Sequence, residues 1–369
     1  MNLTEYGWNE FFEAQFASYK EQGFAPARVS LQHRNLYHVL SEDGELIAEV
    51  SGKMLHKSVS RADFPTVGDW VAISARPDEG SATIHALLDR KGAFSRRAVL
   101  AGGNPDGGGK TDEQVLAANV DTVFLVSGLD KDFNLRRIER FLSAAWDSGA
   151  TPVVVLNKAD VCDDVEGHIG DVEGVAFGVP IHAVSAVTGE GLEALWQHIV
   201  PGSTAAFLGS SGVGKSTLIN SLAGEERLDT GGIRLDDSKG RHTTTHREMV
   251  MLPGGGILID TPGMRRLKMW DEGDGLSKTF EDVEEIMSQC RFSDCGHNSE
   301  PGCTIKAALE DGTLDQKRWN NYLKLQKELA HLERRKDEGA RRAQEREWQK
   351  RVIQYHKEMK ELRKRGLDK

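Results

Sequence analysis

Cysteine is scarce: four occur in 369 residues, too few for the disulfide framework that holds small secreted domains together. Long apolar runs are missing as well. The longest, such as Val153–Leu156, span only a few residues, whereas a bilayer-crossing helix needs about 20, so membrane spanning is excluded. The start of the chain, Met1-Asn2-Leu3-Thr4-Glu5-Tyr6, has neither a basic segment nor an apolar run, so no secretory signal is expected. Three of the four cysteines, Cys290, Cys295 and Cys303, fall within 14 residues. That clustering points to metal binding in a reducing compartment, and cytoplasm is the expected address.

What is present suits two or three soluble globular domains, with 38% apolar and 28% charged residues. The net charge of −10 is unevenly spread. From Glu333 to Lys369 there are 14 Lys and Arg against 8 Asp and Glu, a local +6 that leaves −16 for residues 1–332. A basic tail on an acidic body is the asymmetry of a chain that touches phosphate backbone locally; a solvated, salt-bridged helix is the plainer reading.

Residues 26–100 read as five short strands, Arg28–Leu31, Tyr37–Leu40, Leu46–Val50, Asp69–Ile73 and Thr83–Leu88, which suit a small barrel of oligonucleotide-binding type. The run Gly102–Gly109 marks a flexible link or mobile loop. From Asp121 strands alternate with helices. Thr122–Ser127 and Pro152–Leu156 are continuous apolar runs of a buried parallel sheet, and Leu135–Trp146 between them has helical spacing, which completes a βαβ unit. Beyond Thr279 come a helix, the cysteine cluster and a highly charged helical stretch from about Asp315 to the end, with little apolar periodicity after Leu332. The expected division is an N-terminal extension and OB-like β-barrel over 1–108, an α/β domain over 109–275, and a helical domain with the cysteine cluster and a charged tail over 276–369.

Gly209-Ser210-Ser211-Gly212-Val213-Gly214-Lys215-Ser216 matches G-x-x-x-x-G-K-[ST] fully, after an apolar strand (Ala205–Leu208) and before a helix (Thr217–Leu222). Its glycines let backbone N–H groups converge on phosphates at a helix N-terminus. Lys215 would reach the β and γ phosphates, and the Ser216 hydroxyl would ligate Mg²⁺. Asn157-Lys158-Ala159-Asp160, at the end of the strand Val153–Leu156, selects guanine. A carboxylate there accepts hydrogen bonds from both guanine N1–H and the exocyclic amine, a pair adenine lacks. Ser185-Ala186-Val187-Thr188-Gly189 can offer backbone N–H to guanine O6. Asp260-Thr261-Pro262-Gly263 ends the strand Gly256–Ile259. Asp260 fits the carboxylate that holds Mg²⁺ through water, and the Gly263 amide could sense the γ phosphate. Within Gly240–Thr245, Thr244 rather than Thr243 would complete the Mg²⁺ shell. An ordinary loop is the plain alternative for these threonines.

The guanine motifs at 157 and 185 precede the phosphate loop at 209, so the domain reads as circularly permuted. Permutation leads the segment after Asp260 directly into the C-terminal domain, which gives nucleotide state a short mechanical path to it. Met264 stands where Ras-like enzymes carry a water-orienting glutamine. Methionine cannot do that, so slow intrinsic hydrolysis is expected, with His242 the nearest group to orient the attacking water. Gly212 occupies the place of the asparagine of potassium-stimulated GTPases, so no strong potassium requirement is expected. Cys290-x4-Cys295-x-His297-x5-Cys303 offers three thiolates and an imidazole at zinc spacing, a closed tetrahedral set and hence one structural ion rather than a catalytic one. Cys162 is isolated and reads as an ordinary small residue.

With these motifs in hand, nearly the whole chain resembles the RsgA (YjeQ) family of small-ribosomal-subunit biogenesis GTPases. The likeness rests on Phe64–Trp70, Ala117-Ala118-Asn119-Val120-Asp121, the permuted motifs, Gly240–Thr245 and the zinc-type cluster. It implies a barrel–GTPase–zinc-domain architecture, binding of GTP and GDP, and hydrolysis stimulated by the 30S subunit. It also implies binding to that subunit and its 16S rRNA late in assembly, with roles in the reaction for the histidine matching His242 and the threonine matching Thr244. A monomer is expected. Two other readings stand beside it: a signalling GTPase acting on a protein effector, and a P-loop phosphotransferase for a small molecule, which would leave the guanine motifs idle.

Overall fold

A computed structural model of the chain describes residues 2–33, 36–99, 111–224, 247–260, 274–297, 300–330 and 334. Chain entry is helical. Helix α1 (Glu10–Glu21) begins where the Asn9 side chain accepts a hydrogen bond from the Phe11 amide. Its Phe12 and Phe16, one helical turn apart, are buried against Trp70 on the outside of the barrel.

The five expected strands are all present, each slightly longer than the sequence suggests: β1 (Ala25–His33), β2 (Leu36–Ser41), β3 (Gly44–Val50), β4 (Trp70–Arg76) and β5 (Ser81–Leu87). β1, β2 and β3 form an antiparallel meander, β3 pairs parallel with β5, β5 pairs with β4, and β4 returns to β1. Closure removes the sheet edges. Alternate residues, among them Val29, Val39, Leu46, Ala48, Val71, Ile73 and Ile84, fill the interior. Helix α2 (Gly52–Lys57), between β3 and β4, adds Met54 to that core.

β6 (Ala93–Val99) and β7 (Thr111–Ala118) form an antiparallel pair with Val99 opposite Thr111. The sequence reading missed both strands. The expected boundary at 108 and the run Gly102–Gly109 fall within residues 100–110, which lie outside the described residues.

The second sheet is built from β8 (Thr122–Gly128), β9 (Thr151–Asn157), β10 (Ile181–Val184), β11 (Thr204–Gly209), β12 (Arg247–Met251) and β13 (Ile257–Asp260). The spatial order is β10-β9-β8-β11-β13-β12, parallel except for β12. Its apolar runs are buried on both faces. Leu125, Leu156 and Leu208 pack with Ile138, Phe141 and Leu142 of helix α3 (Leu135–Asp147), while Phe124, Val155 and Phe207 pack with Leu218 and Leu222 of α5 (Lys215–Ala223). Helix α4 (Val165–Glu173) links β9 to β10. At the far edge β12 pairs antiparallel with β1, Leu31 opposite Glu248, so the barrel and the second sheet share one ladder.

Two of the motifs behind the family resemblance build this seam. Asp69 accepts from the Thr66 amide and from both Nε and Nη2 of Arg90, each at 2.8 Å for the arginine. Gly68 (φ +92°) lets β7 approach so closely that a Cβ there would sit 2.1 Å from the Ala118 carbonyl oxygen. Asn119, itself left-handed at φ +55°, donates to the Gly68 carbonyl and accepts from the Lys91 amide. Arg28 of β1 is fully buried between them and donates to the carbonyls of Tyr6, Gly68 and Asn119 and to Thr204 Oγ1. Desolvation lowers its pKa to about 10, against the opposing pull of Asp121 and Asp69.

The C-terminal part contains α6 (Gly275–Thr279), α7 (Glu281–Ser288), α8 (Thr304–Asp311) and a helix over 316–330, α9, around Phe280, Val283, Ile305, Trp319 and Leu325. The charged tail beyond residue 334 lies outside the described residues.

Candidate functional site

In a parallel α/β sheet, ligands bind beyond the carboxyl ends of the strands where connections diverge. All four described nucleotide motifs stand on that edge. Gly209, ending β11, is level with Val126 of β8, and Asn157, ending β9, is level with Gly128 of β8 and Val184 of β10. Asp260 ends β13, one residue beyond the Ile259–Ala206 pair.

The loop from Gly209 to Ser216 turns through two left-handed glycines, Gly212 (φ +82°) and Gly214 (φ +95°), and enters α5 at Lys215. Lys215 Nζ donates to the carbonyls of Gly209 and Ser210, so its charge lies within the loop's own concavity. Ser216 and Thr217, in the first turn of α5, are partly exposed, and Ser211 and Gly212 are exposed at the loop tip. The helix N-terminus gives this loop a positive potential.

Asn157 draws three motifs together. Its Nδ2 donates to the Val213 carbonyl of the phosphate loop at 2.7 Å, and its Oδ1 accepts from the Ala186 amide at 3.0 Å. Gly214 is needed beside it, because a Cβ there would lie 2.2 Å from Asn157 Nδ2. Ser185 is buried, and its Oγ accepts from the Thr188 amide to shape the turn through Gly189. Lys158 is left-handed at φ +69°, which turns the chain so that Asp160 emerges on an exposed 3-10 turn (Ala159–Val161). The Asp160 carboxylate makes no hydrogen bond to any described residue, which leaves both oxygens for a paired donor.

The sequence reading missed two residues that touch this site. Asp130 and Asp132 follow β8 on the same edge. Asp130 Oδ2 accepts from Lys158 Nζ at 2.6 Å, and that bond, ahead of the opposing burial, holds its carboxyl below the usual carboxylate range. Asp132 Oδ2 accepts from Ser210 Oγ, and its Oδ1 pairs with Arg137 of α3 at 2.9 Å. The only local signal was two carboxylates just after a strand end. Gly240–Thr245, including His242, Thr243 and Thr244, and the stretch Thr261–Met264, including Gly263, lie outside the described residues.

The four cluster residues do converge. The ligand atoms of Cys290, Cys295, His297 and Cys303 all lie within 4.8 Å of one another. His297 Nδ1 is 3.6 Å from Cys290 Sγ and 3.7 Å from Cys303 Sγ. A tetrahedron with metal bonds of about 2.0–2.3 Å has edges of roughly 3.3–3.8 Å, so the donor set and the two His297–cysteine spacings fit Zn²⁺. Desolvation opposes ionisation of Cys290, but hydrogen bonds with the Thr304 side chain and the Thr304 and Ile305 amides outweigh it and bring the thiol down to about 6. Those amides open α8, where the helix dipole favours a thiolate. Trp319 of α9 packs edge-on against the His297 ring and ties the cluster to the helical core.

A phosphate-loop strand β11 between β8 and the Asp-Thr-Pro-Gly strand β13, with the guanine-motif strands β9 and β10 beyond β8 and first in the chain, defines a circularly permuted P-loop GTPase. An OB-like barrel precedes it and a Cys₃His module follows it.

Comparison with known proteins gives the family. A sequence model of the RsgA GTPase family matches residues 89–270. The small ribosomal subunit biogenesis GTPase RsgA of Opitutus terrae is 49% identical over 360 residues, covering 95% of this chain and 96% of that protein. Its counterpart in Syntrophotalea carbinolica is 45% identical over 351 residues, 94% of each chain. The crystal structure of YjeQ from Thermotoga maritima is similar at 29% identity with a TM-score of 0.59, covering 83% of this chain and 99% of that one. The circularly permuted GTPase YloQ shares the fold, with a TM-score of 0.57 over 84% of this chain and 96% of that one at 23% identity. The chain belongs to the RsgA GTPase family and is a GTP hydrolase.

Proposed function

We propose that this chain acts in late maturation of the small ribosomal subunit: it binds the 30S particle and its 16S rRNA, and hydrolyses GTP to GDP and phosphate when that particle completes the site. The observation that carries the nucleotide half is the Asn157 side chain, which bonds at once to the phosphate loop and to the Ser185-Ala186 turn. The ribosomal half rests on the name shared by relatives that match nearly end to end.

In this reading Asp160 accepts from guanine N1–H and the amine, Lys158 flanks the base, and the Ala186 turn faces O6. The amides from Gly209 to Thr217 cradle the phosphates, with Lys215 supplying positive charge to the β and γ groups. Ser216, Thr244 and Asp260 would hold Mg²⁺, and the Gly263 amide would read the γ phosphate. The ion supplies charge neutralisation on the phosphates. His242 orients the attacking water. Cys290, Cys295, His297 and Cys303 hold one structural zinc ion. The protein works in the cytoplasm as a monomer, with its barrel, GTPase and zinc parts divided near residues 108 and 275.

Single-turnover GTP hydrolysis with and without purified 30S subunits, in wild type and His242→Ala, tests it. Strong stimulation that the variant loses is the expected result. Stimulation by a protein fraction free of RNA, with none from 30S, would instead make the chain a signalling-type switch.

A further inference from the structure

One short turn touches both halves of the nucleotide site without belonging to either motif. Gly128 ends β8, and Asp130 and Asp132 follow before α3 begins at Leu135. The turn is internally braced, since Asp130 Oδ1 accepts from the Asp132 amide at 3.0 Å. Asp130 faces the guanine motif through Lys158, and Asp132 faces the phosphate loop through Ser210. Arg137 of α3 donates to both the carboxylate and the backbone carbonyl of Asp132, which anchors the turn to a packed helix.

We propose that Asp130 and Asp132 are positioning residues of the nucleotide site: Asp132 fixes the phosphate loop through the Ser210 hydroxyl, Asp130 orients Lys158 beside the base, and the one turn sets the spacing between the two subsites. The inference rests on the nucleotide-site reading above and deepens it. Ser210 is held from two sides. Its carbonyl accepts from Lys215 and its hydroxyl donates to Asp132. A lysine that reaches for phosphate gives up its bonds to the loop carbonyls, whereas the Asp132–Ser210 bond is independent of it. Asp132 therefore keeps the loop in shape at the moment Lys215 turns to the ligand. A charge-assisted hydroxyl–carboxylate bond is among the stronger hydrogen bonds available for this. Solvent screens both contacts, since the Asp130 and Lys158 side chains are 34% and 30% exposed and that of Asp132 is 40% exposed, so each effect sits at the low end for a charged hydrogen bond.

Stopped-flow release of mant-GDP from the full chain, with ITP competition, tests this. Asp132→Ala and Ser210→Ala should each speed release about tenfold, the size of one lost charge-assisted bond. The double variant should be no faster than either single one, because both remove the same contact. Asp132→Asn keeps an acceptor for the hydroxyl but not its charge, so it should fall between wild type and Asp132→Ala, at about threefold. Asp130→Ala should speed release about threefold and narrow the preference for GTP over ITP, which lacks the exocyclic amine. Additive effects in the Asp132–Ser210 pair, or an Asn variant as fast as the Ala variant, overturn the proposal, as do wild-type rates throughout. Should Asp132→Ala not fold, Ser210→Ala and Asp132→Asn still decide, since neither leaves an unpaired buried charge. Asp160→Ala and Lys215→Ala separate the two failures. If these bind mant-GDP like wild type, the nucleotide-site reading itself falls. If they lose it while the turn variants behave as wild type, only the positioning role falls.

Discussion

Arg318 of α9 and Glu139 of α3 form an ion pair of 2.7 Å buried between the zinc-type module and the GTPase sheet, with 7% and 3% of the side chains exposed. The pair is fully engaged. Arg318 also bonds to Asp282 and the Thr279 carbonyl and stacks over Phe280, and Asn321 donates to the second Glu139 oxygen. Removing one partner of such a pair leaves the other charged and buried, which costs about 3–5 kcal/mol. Because Asp282 remains for Arg318, the lower end applies to Glu139→Ala. Hydrogen-exchange protection in α9 should then drop roughly a hundredfold. A double change, Glu139→Leu with Arg318→Met, should restore part of it by substituting apolar contact. Unchanged protection in Glu139→Ala would mean that the module docks by apolar contacts alone.

That interface also marks where sequence reading stops. The phosphate loop, the guanine motifs and the cysteine cluster were legible because their chemistry demands particular residue types at short fixed spacings. The strands from Thr122 to Leu208 were legible because burial on both faces leaves unbroken apolar runs. Glu139 and Arg318 are 179 positions apart, and Ser210 and Asp132 are 78 apart. Neither pair leaves a local signature, and each carboxylate alone reads as a solvated helix or loop residue. β6 and β7 were lost for another reason. Ser95, Arg96 and Arg97 interrupt one strand and Asp112, Glu113 and Gln114 the other, and the backbone register that sets position 97 opposite 113 becomes visible only once the strands lie side by side. The motifs Phe64–Trp70 and Ala117–Asp121 showed in the sequence as likeness without cause. The structure supplies the cause, a close approach at Gly68 and two buried polar hubs, Asp69 and Asn119.

Acid sensitivity is written into the β10 edge. His182 Nε2 and His198 Nε2 lie 2.8 Å apart, so one ring donates and the other accepts, which requires that at least the accepting ring be neutral. Burial pushes both below the ordinary 6.5, and for His198 the neighbouring His182 adds to it. The unfolded chain thus binds more protons than the folded one below that value. Their contribution to stability is complete above about pH 6.5 and is lost as pH falls through it. Thermal midpoints should decline between about pH 7.5 and 5.5, and His182→Gln should flatten the decline relative to wild type. An identical slope in the variant would place the proton uptake elsewhere.

Metal content is the direct check on the Cys₃His cluster. Purified chain should carry about one zinc per molecule, released by chelator more readily as pH falls and the thiolates protonate. Cys303 is the most buried ligand and the residue that leads into α8. Cys303→Ala should abolish zinc binding and expose the core around Phe280, Trp319 and Leu325. Mant-GDP affinity should stay within about threefold, because the phosphate loop sits in a separate core of the sheet. Full zinc content in the variant would remove Cys303 from the ligand set.

Base selectivity offers the sharpest test of the guanine reading, because a one-atom change inverts it. In that reading the exposed Asp160 carboxylate would accept from two neighbouring donors on guanine, N1–H and the 2-amino group. Xanthine carries an oxygen in place of that amine, so a carboxylate repels it, whereas an amide N–H at the same place donates to it. Asp160→Asn should therefore weaken GDP binding by about 3 kcal/mol, roughly two orders of magnitude, and bring XDP binding up towards the wild-type GDP level. The fold should be untouched, since Asp160 supports no described neighbour and Asn157 still braces the loop. Paired titrations with mant-GDP and mant-XDP read both changes at once. Exchange of one preference for the other assigns Asp160 to the base, while loss of GDP binding without any gain for XDP would show that the residue acts on the shape of the Asn157–Asp160 turn instead.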